Sequence, residues 1–226
     1  MSKFIKPVLV LLAAVLLTAL MFSVFWYEDW QYSQPTPRPV HLTQAKPGGL
    51  LRLSGVKLPA AVADSTDHRP LFLHFYNPDC PCSRFNLDHI RDLVRAHGAQ
   101  VRFVAVIEGD RKAAHGLPMP TLADPNGAVA RACGVYSTPQ AVLLDARGRL
   151  VYRGNYNTGR YCEGRATEFA RIALENLLAS RSAAPEPTAA ATAYGCQLPS
   201  NPQRPTGPPG GFATLCHRVT NLKGRL

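Results

Sequence analysis

Two cysteines one residue apart, Cys80-Pro81-Cys82, are the residues of this chain whose types and spacing best suit chemistry. They follow a short apolar run and precede a stretch whose apolar residues recur near a 3.6 period, which puts them at a strand-to-helix corner. Pro81 fixes φ near the helical value and suits a first helical position, while the residue before a proline is pushed into extended backbone. Cys80 is therefore expected as the N-cap, with Cys82 in the first turn. The N–H groups of a first turn and the positive end of the helix dipole stabilise an anion. A thiolate held there is the nucleophile of thiol–disulfide exchange. A Cys80–Cys82 bond would close a very small ring and is expected to be exchangeable rather than an inert staple. The plainer reading places the two cysteines in separate permanent disulfides, as is common in exported chains.

The elements that must position this pair can be read on either side of it. Leu71 to Tyr76 (LFLHFY), bounded by Arg69-Pro70 and Asn77-Pro78, predicts a buried strand. From Pro81 a helix is expected to run to about His97 and stop at Gly98, with Phe85, Leu87, Ile90, Leu93 and Val94 near one face. Val101 to Ile107 predicts a second strand, and Asn126 to Cys133 a short helix after Asp124-Pro125. Ala141 to Asp145 and Leu150 to Arg153 flank Ala146-Arg147-Gly148-Arg149 as an antiparallel hairpin. Glu163 to Leu178 predicts a closing helix with Phe169, Ile172, Ala173 and Leu177 on one face, and Leu50 to Leu53 is a candidate edge strand. Strand, helix, strand, helix, hairpin, helix is an α/β order in which helices cover a mixed sheet.

At 226 residues, with 46% hydrophobic and 18% charged, the chain can hold one ordinary domain of roughly 100–150 residues with appendages. Four parts are expected: an N-terminal membrane anchor (1–30), a proline-rich spacer (31–42), the α/β domain (43–180) and a Pro/Gly-rich tail (181–226). Pro7 to Tyr27 carries no charge and matches the ~20 residues that a helix needs to cross the hydrocarbon core. No small-x-small cleavage site precedes its aromatic end at Phe25, Trp26 and Tyr27, which favours a retained anchor over a signal peptide. Lys3 and Lys6 before it, with Glu28 and Asp29 after it, place the N-terminus in the cytoplasm and the rest outside. Gln34 to Pro39 (QPTPRP) should be an extended spacer holding the domain off the bilayer. The tail, rich in Ala, Pro, Gly and Thr, cannot supply a core by itself. A formal charge of +10 comes from scattered Lys and Arg without aromatic interleaving, which argues against nucleic-acid binding.

With these residues in place the chain resembles the thioredoxin superfamily over roughly residues 70–180. Phe75-Tyr76-Asn77-Pro78-Asp79-Cys80 parallels the approach to the thioredoxin active site, and Ser137-Thr138-Pro139 followed by AVLLD parallels the cis-proline loop and its strand. The resemblance implies a thioredoxin-like mixed sheet flanked by helices. It implies a cis bond before Pro139 opposite the reactive cysteine, and substrate backbone bound along Thr138 and Pro139. In gapless register the buried acid of thioredoxin falls on His74, a candidate proton relay. C-P-C stands where the family has C-x-x-C, so either the resolving cysteine is shifted by one or the pattern is C-x-x-S, ending at Ser83, with an extra thiol. The peroxidase motif P-x-x-x-T-x-x-C is not met, since Leu73 and Asn77 hold its first two places.

The implied activity is thiol–disulfide exchange through Cys80 and Cys82, on envelope proteins with cysteines or on small thiols, with a further redox partner and no dissociable cofactor. The setting is a single-pass inner-membrane protein with its soluble domain in the periplasm or its equivalent. Cys133, Cys162, Cys196 and Cys216 permit two further disulfides, of which a structural Cys196–Cys216 bond closing the tail is the favoured one. Membrane-tethered redoxins often carry a late Gly-Cys, so Cys196 of Tyr194-Gly195-Cys196 is also a candidate resolving thiol for Cys80, ranked below that structural bond. Two readings of another class remain beside exchange. Two close thiolates suit Cu(I), although the C-x-x-x-C and later histidine of copper chaperones are not matched and His115 sits in a loop; the other reading is a redox-silent envelope scaffold.

Overall fold

The computed structural model describes residues 2–51, 53, 67–108, 116–158, 164–181 and 187–198, and the statements below concern these. Cys162, Cys216 and His115 lie outside them.

Leu71–Tyr76 forms β1 over the residues its apolar run predicts, and every side chain in it is buried. A strand buried on both faces belongs at the centre of a sheet. Accordingly β1 pairs in parallel with β2 (Arg102–Ile107) and antiparallel with β5 (Gln140–Leu144). β2 pairs in parallel with β3 (Thr121–Ala123), and β5 pairs antiparallel with β6 (Leu150–Gly154). The resulting five-stranded mixed sheet has the order β3-β2-β1-β5-β6. Its period-two alternation divides the core. Leu71, Leu73, Phe75, Val104, Val106, Val142 and Leu144 pack with Val129, Ala130 and Cys133 of α4 (Ala128–Cys133). Phe72, Phe103, Ala105, Ala141 and Leu143 pack on the other face with Ile90 and Leu93 of α3 (Leu87–His97) and Ala170 and Leu174 of α5 (Phe169–Leu178). Helices thus cover both faces of a mixed sheet, the thioredoxin-like arrangement.

The helix expected from Pro81 to His97 is two helices, α2 (Pro81–Phe85) and α3, divided at Asn86. Asn86 is fully buried, while Phe85 is turned outward at 47% exposure instead of joining the core. In α5 the buried stripe is Ala170 and Leu174, and Ile172, expected inside, is 37% exposed. A 3₁₀ turn at Arg165–Thr167 stands where the first turn of that helix was expected. The edge near Leu50 is real but slight. Leu50 bridges Arg149, and Leu51 donates its N–H to Gly148 O at 3.0 Å, without a regular strand.

α1 (Ser2–Ser33) is long and apolar enough to cross a membrane, with Ile5–Tyr27 at a mean hydropathy of 2.8 and its apolar side chains exposed among the described residues. Twenty-three helical residues span about 35 Å at 1.5 Å each, more than the roughly 30 Å hydrocarbon core.

The composition-based tail does not begin outside the domain. Ala190, Ala193 and Leu198 are buried, and α6 (Thr188–Ala191) lies against β6. Gly154 makes this approach feasible, because a Cβ there would fall on the carbonyl oxygen of Ala190. Asn155 completes the seam, donating its N–H to Ala190 O at 2.9 Å and its side-chain amide to Ala189 O at 2.9 Å. Small alanines packed on a backbone give no large-residue periodicity, so composition alone reads the segment as floppy. Gly154→Ala should lower the urea midpoint of the full chain in detergent by the equivalent of about 1–3 kcal/mol, the usual cost of forcing a methyl into a filled space. An unchanged midpoint would mean that the tail does not pack there.

Candidate functional site

The corner after β1 is built by local hydrogen bonds. Asn77 Oδ1 accepts from Asp79 N–H at 2.9 Å, and Asn77 O accepts from Cys80 N–H at 3.1 Å. Cys80 takes extended backbone (φ −87°, ψ 119°) as the N-cap of α2, with Pro81 in the first turn. Proline geometry requires both. Arg84 N–H closes the first turn on Cys80 O at 3.3 Å. Because α2 has only five residues, the helix behind Cys80 is shorter than the 3.6-residue pattern suggested.

Cys80 is 1% exposed and bonded to Cys196, 116 positions away in sequence, with the two Cα atoms 5.9 Å apart. Cys82, expected as its partner, is buried in α2 as a thiol. The reason is rotational: at about 100° per residue, positions i and i+2 of a helical turn point nearly opposite ways, whereas i and i+3 share a face. The residue three beyond Cys80 is Ser83, fully buried, whose Oγ accepts from Asn77 N–H at 3.4 Å. Of the two registers open in the sequence, the geometry is that of C-x-x-S with an extra thiol. The favoured Cys196–Cys216 bond is likewise replaced, since Cys196 is already joined to Cys80. Cys133 is a buried thiol whose pKa is pushed up to about 12, first by burial and then by Asp124, which disfavours the thiolate that exchange requires.

The Thr138–Pro139 bond is cis, as the resemblance implies, and Cys80 Sγ lies 3.5 Å from Thr138 O. A disulfide sulfur has no proton to give, so this is a contact rather than a hydrogen bond. Ahead of the proline, β4 (Ser137–Thr138) pairs antiparallel with β7 (Cys196–Gln197), with Thr138 opposite Cys196 and Ser137 opposite Gln197. That register is what brings Cys196 over Cys80. Gly195 permits it: its φ is +111°, and a Cβ there would collide with Thr138 O. Three buried hydroxyls secure the join. Ser137 Oγ lies 3.1 Å from Tyr194 O, 3.2 Å from Cys196 O and 2.9 Å from Thr36 Oγ1, and Thr138 Oγ1 donates to Cys196 O at 3.4 Å. Thr36 was legible only as one polar residue of the spacer. It is 4% exposed and donates its N–H to Ala193 O at 2.7 Å, so the spacer is docked on the domain at this point.

His74 lies on β1 opposite Ala105 and Ala141, whose small side chains leave room for its ring. It is fully buried, its Nδ1 2.7 Å from Tyr156 Oη and its Nε2 without a hydrogen-bond partner among the described residues. Burial, with a smaller contribution from His89, holds it down to about 3, so the ring is neutral near pH 7. His89 is also held low by burial, against the opposing pull of Glu168, which is paired to Arg171. Among the described residues no group of three or more His, Cys, Asp or Glu side chains is placed to hold a metal ion.

A family model described as a domain of unknown function, DUF6436, matches residues 52–198, a span that takes in Cys80, Cys82, the cis-proline loop and Cys196. No curated protein matches the chain. Among solved structures, an uncharacterized conserved protein from Geobacillus kaustophilus is 24% identical, with a TM-score of 0.55 over 75% of this chain and 96% of its own. A hypothetical protein from Sinorhizobium meliloti 1021 is 23% identical, with a TM-score of 0.50 over 58% of this chain and 80% of its own. A secreted disulfide oxidoreductase from Mycobacterium tuberculosis is 21% identical, with a TM-score of 0.40 over 48% of this chain and 82% of its own. The first two likenesses concern the fold, which is thioredoxin-like.

The buried histidines set a pH dependence. The folded pKa of His74 is below its unfolded value of 6.5, so the unfolded chain takes up the proton first; stability is intact above about pH 6.5 and is lost as pH falls toward 3. Urea midpoints should drop between about pH 7.5 and 5, and His74→Asn should flatten that drop while His89 leaves a residue of it. Equal pH slopes in the two proteins would contradict the assignment.

Proposed function

The chain belongs to the DUF6436 family, and we propose that it carries out thiol–disulfide exchange with Cys80 as the exchanging sulfur and Cys196 as the thiol that resolves it. The observation that carries this reading is the Cys80–Cys196 bond set against a cis-proline loop at a strand-to-helix corner. In the first step the Cys80 thiolate attacks one sulfur of a substrate disulfide and expels the other as thiolate. Cys196 then attacks Cys80 Sγ and expels the second substrate sulfur. The substrate gains two electrons, the Cys80/Cys196 pair loses them in forming its bond, and the released thiolates take protons from water. Run backwards, the same steps oxidise a dithiol.

In this reading Thr138 and Pro139 line the substrate groove, and Cys82 is a neighbouring buried thiol rather than the resolving one. α1 anchors the domain to a membrane. Lys3 and Lys6 before the span, with Glu28 and Asp29 after it, support a cytoplasmic N-terminus and a site on the outer side, where envelope proteins or small thiols are the substrates and a second redox protein recharges the pair.

Three substitutions test this on the full chain with a self-quenched fluorescent glutathione disulfide. Cys80→Ser should lower the rate on the order of a hundredfold or more. Cys196→Ser should form a mixed disulfide on Cys80 and stall there, while Cys82→Ser should stay within about threefold of the parent. Loss of turnover in Cys82→Ser, with turnover kept in Cys196→Ser, would return the role of partner to Cys82.

A further inference from the structure

The segment that delivers Cys196 lies in a slot with two walls. On one wall β4 pairs with Cys196 and Gln197. On the other, Pro35 of the spacer bridges Tyr194 and Thr36 donates its N–H to Ala193 O at 2.7 Å. The Thr36 hydroxyl reaches across both, 2.9 Å from Ser137 Oγ and 3.4 Å from Gly195 O. The slot is one strand wide, and its polar lining of Thr36, Ser137 and Thr138 is buried while the segment fills it. Cys80 beneath is 1% exposed, whereas Cys196 is half-buried. Nothing extended can reach Cys80 in register until residues 193–197 leave.

Building on the exchange reading, we propose that residues 193–197 are a built-in occupant of this slot, and that the external substrate replacing them is an extended polypeptide with glycine immediately before its reactive cysteine. The register fixes the second part. A polypeptide cysteine that bonds Cys80 while its chain pairs with β4 as Cys196 does sits opposite Thr138, and the residue before it then lies against Thr138 O, where a Cβ does not fit. The backbone there is at φ +111°, which glycine adopts without strain and other residues do not. While the Cys80–Cys196 bond stands, the occupant is covalently retained. Once it is reduced, residues 193–197 are held by a pairing of two residues, a few hydrogen bonds each of modest net worth and the small buried side chain of Ala193, between anchors at Ala190 and Leu198, so a polypeptide with the same pattern can compete for this stretch. The reaction is one exchange: the Cys80 thiolate attacks the cysteine sulfur of a polypeptide disulfide, a Cys80–polypeptide bond forms, and the other sulfur leaves as thiolate.

The test uses full-length Cys196→Ser in detergent and a synthetic peptide of residues 193–198, Ala-Tyr-Gly-Cys-Gln-Leu, with capped ends. Its cysteine is activated as a mixed disulfide with 2-nitro-5-thiobenzoate. Release of the yellow thiolate gives the rate, and the mass of the adduct assigns it to Cys80. The glycine peptide should react about tenfold or more faster than the same peptide with alanine in the glycine place. Equal rates for the two peptides overturn the proposal, as does a Cys80 that reacts with Ellman's reagent but with neither peptide. If Cys80 reacts with no disulfide, Ellman's reagent included, the exchange reading itself has failed.

Discussion

The antiparallel pairing of Thr138 with Cys196 is the constraint on which the site depends. It requires Gly195 to pass beneath a carbonyl oxygen where no side chain fits, and it requires the cis-proline loop to present Thr138 toward the tail. Those two conditions bring together sulfurs that start 116 residues apart. The other features near Cys80 follow from holding that register. The hydroxyls of Thr36, Ser137 and Thr138 satisfy the carbonyls of residues 194–196, and the Thr36 N–H that of Ala193, all of which would otherwise lose water without replacement.

The sheet supplies rigidity to one partner and the seam along β6 supplies it to the other. β1 is buried on both faces and ends at the corner that caps α2, so Cys80 is fixed by the centre of the core. Cys196 is carried by a segment anchored upstream, where α6 lies on Gly154 and Asn155, and downstream, where Leu198 enters the core beside Val135. One sulfur therefore sits on an immobile frame, and the other on a strap whose attachments are small residues and hydrogen bonds. In the proposed exchange the sulfur on the strap is the one that moves away, while Cys80 stays in place.

What could be read from the sequence was the local part. Leu71 to Tyr76 gave its strand to the residue, since an apolar run between two prolines has few alternatives. Cys80 at the N-cap and Pro81 in the first turn follow from proline geometry, and the cis bond before Pro139 follows from the thioredoxin resemblance. The partner of Cys80 was not legible. Proximity along the chain favours Cys82, and only the 200° turn between positions two apart in a helix removes it. Residues 187–198 of the expected tail pack on the domain for a related reason: Ala190 and Ala193 fit closely because they are small, whereas a composition rich in Ala and Pro looks like a linker, and residues 199–226 lie outside the described residues. Thr36 carried no signal of its own, because a threonine between prolines becomes a wall of the slot only through contacts with residues more than a hundred positions away.

The bond between Cys80 and Cys196 is open to disulfide mapping. Full-length protein from membranes, prepared without reductant, would be alkylated, digested and examined by mass spectrometry. The expected result is a cross-linked pair of peptides carrying Cys80 and Cys196, with Cys82 recovered as a thiol that alkylates only after denaturation. A Cys80–Cys82 bond, or a Cys196–Cys216 bond with Cys80 left as a thiol, would contradict it.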